Sequence, residues 1–193
     1  MVRSLGFLLL VAMASACTGL HEVRPGVFRS PQPSDDSLAR AIDRHELKTV
    51  VCLRGMASAS APSQRAANGA GIAFWNVPMS ATRLPSPETL LALWRIATDA
   101  ERPLLLHCRA GVDRTGLACA LLVLHDTGDL GLARGQLGLL PYGHLGVFGT
   151  QAMGEVLDRY APHHGSLAFP DWVRDVYRKE RAADATADVS ARR

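Results

Sequence analysis

Three short stretches of the chain are nearly continuous in aliphatic and aromatic residues: Lys48–Arg54 (KTVVCLR), Ile72–Val77 (IAFWNV) and Pro103–His107 (PLLLH). Apolar runs of that length, bounded by turn residues, predict strands buried on both faces. Between them the spacing becomes helical. Ser34 can cap a helix to about His45 that carries Leu38, Ala41 and Ile42 on one face, and Pro87 opens another to about Ala100 with Leu90, Leu91, Trp94 and Ala97. An apolar helix is expected from Thr115 to about His125, and further helices over 129–139, 147–160 and 170–180. His21–Ser30 holds a Pro25-Gly26 turn and then a short extended piece. Met56–Gly69 is small and Ala/Ser-rich and 78–87 is Pro-rich, so both are expected as loops. Arg181–Arg193 lacks large apolar residues and is expected as a disordered tail. Strands joined by helical crossovers predict an α/β fold, with a central, mainly parallel twisted sheet flanked by helices. Its site belongs at the carboxyl ends of the strands.

The N-terminus follows a different logic. Arg3 precedes an apolar run from Leu5 to Ala16 that closes on Ala14-Ser15-Ala16. This is the layout of a secretory signal peptide over residues 1–16, and the run is too short for a bilayer span of about 20 residues. Cys17 follows at once, as at a bacterial lipoprotein cleavage site, although Ala14 stands where Leu is preferred. Acylation of Cys17 and simple cleavage after Ala16 both stay open. Either places residues 21–180, the expected catalytic domain, outside the cytoplasm: periplasmic, or lipid-anchored to a membrane that faces the periplasm.

Composition narrows the function classes. The formal charge is +3, from 21 basic and 18 acidic residues that are interspersed, which is no nucleic-acid footprint. Four Cys without a C-x-x-C pair argue against a zinc ribbon or a disulfide scaffold, and the seven His lack metal-ligand spacing. His144, His163 and His164 are accordingly expected to be structural or exposed. No metal or cofactor is called for.

The chemistry concentrates at His107-Cys108-Arg109-Ala110-Gly111-Val112-Asp113-Arg114-Thr115-Gly116. A short turn between a strand end and a helix start can curl so that its N–H groups point inward, with Gly111 taking the conformation other residues resist. The helix dipole adds positive charge at the same place. Such a cradle fits a tetrahedral dianion. Cys108 would lie at its floor, where amides, dipole and Arg114 favour thiolate. Arg114 can fork two N–H bonds onto phosphate oxygens. Arg109, Ala110, Gly111 and Val112 would wrap the anion, Thr115 would donate its hydroxyl to the cysteine sulfur, and His107 would brace the turn through backbone bonds.

The sequence H-C-x5-R-T-G, set between a strand and a helix, resembles the signature of the cysteine-dependent protein tyrosine and dual-specificity phosphatases. Gly26-Val27-Phe28-Arg29-Ser30-Pro31-Gln32-Pro33 resembles the entry segment of bacterial dual-specificity-like members, and Phe169-Pro170-Asp171-Trp172 a helix start found in them. The resemblance covers roughly 24–180, and it implies hydrolysis of phosphate monoesters, on protein or small-molecule substrates, through a cysteinyl-phosphate. Most members carry an Asp general acid on a loop that corresponds here to 78–87, which contains no carboxylate. The nearest, Glu88, sits at a helix start. Asp113 lies inside the cysteine loop instead. C-x-x-G-x-D-R resembles a branch of secreted bacterial tyrosine and lipid phosphatases, and more remotely the myotubularins, in which this Asp is the proposed acid. Asp113 as a plain ion pair or loop brace stays the alternative.

Val112 stands where members acting on inositol phosphates often carry Lys, which tilts the expectation toward phosphotyrosine or another monoester. Lipid or inositol phosphates, and a catalytically weak phosphate-binding module, remain the competing readings. A sulfur transferase or arsenate reductase is disfavoured by the Arg114-Thr115 pair and by the lack of resolving thiols. Arg29 and Arg54 are expected as rim charges, paired or solvated, with added phosphate affinity as the other reading. In some members a Cys in the position of Cys52 forms a disulfide with the nucleophile; an inert buried thiol is the other reading. Cys119 and the three Trp are expected in the core or, for Trp, in subsite walls.

Overall fold

The computed structural model describes residues 19–146 and 149–191, so the expected export signal at 1–16 and Cys17 lie outside the described residues. The elements run β1 (His21–Arg24), β2 (Val27–Ser30), α1 (Asp35–His45), β3 (Thr49–Cys52), α2 (Ala57–Gly69), β4 (Ala73–Asn76), α3 (Pro87–Asp99), β5 (Leu104–His107), α4 (Asp113–Thr127), α5 (Leu130–Gly135), α6 (Ala152–Tyr160), α7 (Phe169–Trp172) and α8 (Arg178–Ala191). The strands form one sheet in the order β1-β2-β5-β3-β4. Only the β1–β2 edge is antiparallel; β2, β5, β3 and β4 run parallel, as the crossover pattern predicts.

The continuous apolar runs make sense on this sheet. Leu104 and Leu106 of β5 face one core and Leu105 the other; Val51 and Val50 of β3 divide in the same way. The larger core is closed by α3, α4, α6 and α7, the smaller by α1 and α2 around Phe28, Leu38, Ile42 and Leu105. Because β5 is central and buried throughout, its C-terminal end is a fixed platform for the loop that follows.

Three segments depart from the sequence-based expectation. Residues 57–69 form helix α2 rather than a loop. Its inward face is Ser60, Ser63 and Ala67, small residues that allow close approach but carry no hydrophobic period to read. At the other end, α7 continues through a wide turn at Val173–Tyr177 into α8, so the tail expected at 181–193 is helical to Ala191. Trp172, Val173 and Tyr177 are fully buried and anchor the start. Beyond them Arg159 reaches Glu180 and Asp184 across the helix interface, and Arg181 pairs with Asp184 one turn on. Charge pairing thus extends a helix that apolar content alone would not. The helix expected over 129–139 is short, ending at Gly135, and 136–146 is irregular.

Two glycines differ sharply in what surrounds them. A Cβ on Gly116, in the first turn of α4, would stand 2.7 Å from Leu137 Cδ2 and 2.9 Å from the Gln136 carbonyl oxygen, whereas one on Gly154 in α6 would meet nothing within 4 Å. Gly116→Ala is therefore expected to lower stability by about 1–3 kcal/mol through overpacking. Gly154→Ala should raise it by up to about 1 kcal/mol through helix propensity. Urea unfolding of the two variants beside wild type checks both signs.

Candidate active site

The loop after β5 turns on Gly111. Its φ of +72° is open to glycine, and a Cβ there would lie 2.5–2.6 Å from the backbone of Ser30 and Pro31. The loop is therefore pressed flat against the end of β2, and Gln32 N donates to the Arg109 carbonyl at 3.1 Å to hold the rim. Cys108 is buried at the floor, 2% exposed, and Gly111 N–H donates to its Sγ at 3.2 Å. Helix α4 starts at Asp113, two residues earlier than expected, with no side chain capping its first N–H groups. N–H donors at a helix start without a side-chain cap are open to an anion.

What turns the amides inward is Arg29. Far from being a rim charge, it is 1% exposed and lies beneath the loop. Its Nη2 donates to the carbonyls of Gly111 at 2.9 Å and Val112 at 3.1 Å, and its Nη1 to the Gln136 carbonyl at 3.1 Å. With those carbonyls held below, the N–H ends of the same peptides are left for the opposite side. The Tyr142 ring covers the guanidinium at 3.8 Å. Arg29 was hard to read in the sequence because nothing marks a strand Arg as buried; the clue is that the VFRS run is short and pairs on both sides. Arg54 is half-buried and reaches Gln32 Oε1 at 3.4 Å.

The remaining loop residues sort by exposure. Arg109 and Ala110 are exposed; Val112, Asp113 and Arg114 are half-buried. Arg114 Nε is buried and has no hydrogen-bond partner among the described residues. Thr115 is fully buried and its Oγ1 is likewise unpartnered, so the expected hydroxyl–sulfur bond is not made: with α4 starting at Asp113, Thr115 sits inside the first turn and against the core. His107 also departs from expectation. Its ring is completely buried and neither nitrogen meets ordinary hydrogen-bond geometry among the described residues, so packing is its main hold on the turn, with the Cys108 backbone close by. Burial lowers its pKa from 6.5 to about 4; the Cys108 backbone opposes this, and the Arg54 charge adds a smaller push downward.

Asp113 is the carboxylate inside the loop, and His144 Nδ1 lies 2.8 Å from its Oδ1. His144 is 8% exposed, and the sequence gives no hint of the contact, because Pro141-Tyr142-Gly143 has to turn the chain back first. Glu88, the other acid considered, points elsewhere: it pairs with Arg178 at 2.8 Å, and the amide at the start of α3, Ser86 and Arg178 hold its carboxyl below the usual range. Cys52 pairs in register with His107, and burial raises its pKa; Cys52, Cys108 and Cys119 are all free thiols. Burial in the middle of α4 pushes Cys119 up to about 11. A cavity of about 310 Å³ opens between Ser30–Ser34 and α1, but none of its lining residues belongs to 108–114.

A strand-end cysteine under inward amides and an arginine on the following helix turn is the frame of a known group. A family model described as PTP-NADK, a DSP-PTPase phosphatase fused to NAD+ kinase, matches residues 15–123, more than half of the chain. The chain belongs to this DSP-PTPase family. Among curated proteins it is 34% identical over 104 residues to the dual specificity protein phosphatase TpbA of Pseudomonas aeruginosa, a match that covers 53% of this chain but only 44% of TpbA. The crystal structure of P. aeruginosa TpbA has a TM-score of 0.58 at 24% identity, over 73% of this chain and 84% of that one, which shows the shared fold. A cysteine-to-serine variant of TpbA in complex with pTyr has a TM-score of 0.51 at 26% identity, over 82% of this chain and 89% of that one. Within the DSP-PTPase frame, the carbonyl-holding Arg29 and the Asp113–His144 contact are the features sequence reading missed.

Two expectations follow from this geometry. Arg29→Lys keeps the charge but loses the fork, leaving loop carbonyls without donors. It should weaken orthovanadate binding at least about tenfold and cost about 1–3 kcal/mol of stability; calorimetric titration showing unchanged affinity would reject the brace. For His107, the folded pKa of about 4 lies below the ordinary 6.5, so the unfolded chain binds more protons between those values. Stability is then fully present near neutrality and is lost as pH falls through that window. Acidifying from pH 7 to 4.5 should cost roughly 2 kcal/mol through this residue. His107→Leu should reduce the pH dependence of urea unfolding by that amount, and an undiminished dependence would contradict it.

Proposed function

We propose that this chain is a metal-independent phosphatase that hydrolyses phosphate monoesters, phosphotyrosine above all, through a cysteinyl-phosphate. The observation that carries the reading is the Gly111 N–H aimed at Cys108 Sγ while Arg29 holds the Gly111 and Val112 carbonyls away from it. A loop built this way presents donors to a tetrahedral anion directly above a nucleophile. TpbA, a dual specificity phosphatase whose cysteine-to-serine variant is seen with pTyr, supports the substrate class.

In the first step Cys108 sulfur attacks phosphorus, and the bond to the leaving oxygen breaks as Asp113 gives that oxygen its proton. Arg114, whose Nε is buried and unpartnered among the described residues, and the loop amides from Arg109 to Val112 take up the charge on the non-bridging oxygens. In the second step Asp113, now a carboxylate, takes a proton from water as the water oxygen attacks phosphorus and the S–P bond breaks. Inorganic phosphate leaves, and thiolate and protonated Asp113 are restored. Asp113 is assigned the acid because 78–87 offers no carboxylate and Glu88 is committed to Arg178. The single extra loop cation, Arg109, and Val112 in place of a Lys favour a monoester over a polyphosphorylated inositol. We further propose that the domain works after export directed by residues 1–16, either free in the periplasm after cleavage or lipid-anchored through Cys17.

The test is hydrolysis of a small aryl phosphate by the reduced chain in the presence of chelator, with Cys108→Ser and Asp113→Asn alongside. Turnover should survive chelator, vanish in the first variant and fall at least about tenfold in the second. Turnover that ignores Asp113 would keep the enzyme and discard this acid. Orthovanadate binding without turnover in the reduced wild type would favour a phosphate-recognition module.

A further inference from the structure

Residues 138–146, past the half-buried Leu137 that packs on Gly116, invert the usual partition of side chains. Leu139, Leu140 and Leu145 are 57%, 85% and 65% exposed, while His144 among them is 8% exposed. Exposed leucines beside a buried imidazole show that, past Leu137, contacts other than apolar burial fix residues 138–146. Three contacts do so, and all converge on the cysteine loop or its brace: Gln136 on Arg29, the Tyr142 ring over the same guanidinium at 3.8 Å, and His144 Nδ1 at 2.8 Å from Asp113 Oδ1. Backbone bonds from Gly143 N to the Leu139 carbonyl at 2.6 Å and from His144 N to the Gly138 carbonyl at 3.2 Å curl the chain so that the imidazole turns in.

We propose that His144 is a positioning residue for Asp113: its Nδ1–H donates to Oδ1 and so fixes the carboxyl with Oδ2 toward the leaving oxygen. The inference rests on the reading of Asp113 as the acid. His144 itself transfers no proton. In the first step the proton moves from Oδ2 to the leaving oxygen, and in the second one returns to Oδ2 from water. The Nδ1–H···Oδ1 bond is kept throughout and strengthens as the carboxylate charge develops. A donor on the far oxygen also answers a difficulty of placing an acid in an anion-binding loop, since it restrains a carboxyl that a bound dianion would otherwise turn away. The covering Tyr142 ties this orientation to the Arg29 brace, so acid and cradle are set by one segment.

The role is separable from mere structural support by the leaving group. General-acid help matters most when the leaving oxygen is a poor one, so phenyl phosphate should suffer more than 4-nitrophenyl phosphate. In the full, reduced chain, His144→Ala should lower kcat about tenfold or more on phenyl phosphate and only a few-fold on 4-nitrophenyl phosphate. His144→Asn, which can place an amide N–H where Nδ1–H stands, should recover most of the loss. Asp113→Asn/His144→Ala should be no slower than Asp113→Asn alone, because residues that act as a unit are not additive. Orthovanadate affinity, a report on the intact cradle, should be unchanged in His144→Asn. Equal losses on both substrates, or a full additional loss in the double variant, would overturn the assignment while leaving Asp113 in place. Absence of any leaving-group dependence in Asp113→Asn itself would remove the acid and the positioning role together.

Discussion

A buried guanidinium bound to backbone carbonyls is the interaction on which the site depends. Arg29 lies under the 108–114 loop with no carboxylate in its hydrogen-bond set, only the oxygens of Gly111, Val112 and Gln136. Burying a charge this way is costly unless every donor is used, and the loop supplies the acceptors. Each partner needs the other: the carbonyls would be left without donors in the absence of Arg29, and Arg29 would be left uncompensated if the loop relaxed. The same charge lies on the loop side of the sheet with Arg114 and the α4 N-terminus, all of one sign.

The sheet makes that arrangement reproducible. Residues 27–30 of β2 run in parallel register with 104–107 of β5, so Arg29 is paired with Leu106 and lies just before the point where the cysteine loop departs. The contact of Gly111 against the Ser30–Pro31 backbone then sets the height of the loop, and the fork of Arg29 sets its tilt. Strand pairing fixes both ends of the contact, and the loop has little left to choose.

How much of this could be read in the sequence depended on whether the signal was local. β3, β5 and the helices with full hydrophobic faces were legible because apolar runs and 3.6-residue spacing act within a few residues. Helix α2 was not, since a face of Ser60, Ser63 and Ala67 carries no contrast with its solvent side. Helix α8 was hidden for a related reason: its stability comes from Arg159 and Glu88, residues far away in the chain. The site divides along the same line. Cys108, Gly111, Asp113 and Arg114 share one turn and are visible together, whereas Arg29, Tyr142 and His144 reach it only through the fold. Thr115 shows the converse risk, for its place in a motif suggested a sulfur contact that the first turn of α4 does not make.

Asp113 stands in the rigid turn itself and not on a separate flap, with its carboxyl tethered to His144 and the turn tethered to Arg29. If it supplies the proton, no loop closure has to precede chemistry, and the catalytic cycle has no mechanical gate at that point. The stretch 78–87 is then relieved of the duty of delivering an acid. Held at Pro85 by the Tyr177 hydroxyl at 2.8 Å and at Met79 by the core, it can change at its exposed positions without displacing the acid. Variation in that stretch and the position of the proton donor are in that sense uncoupled.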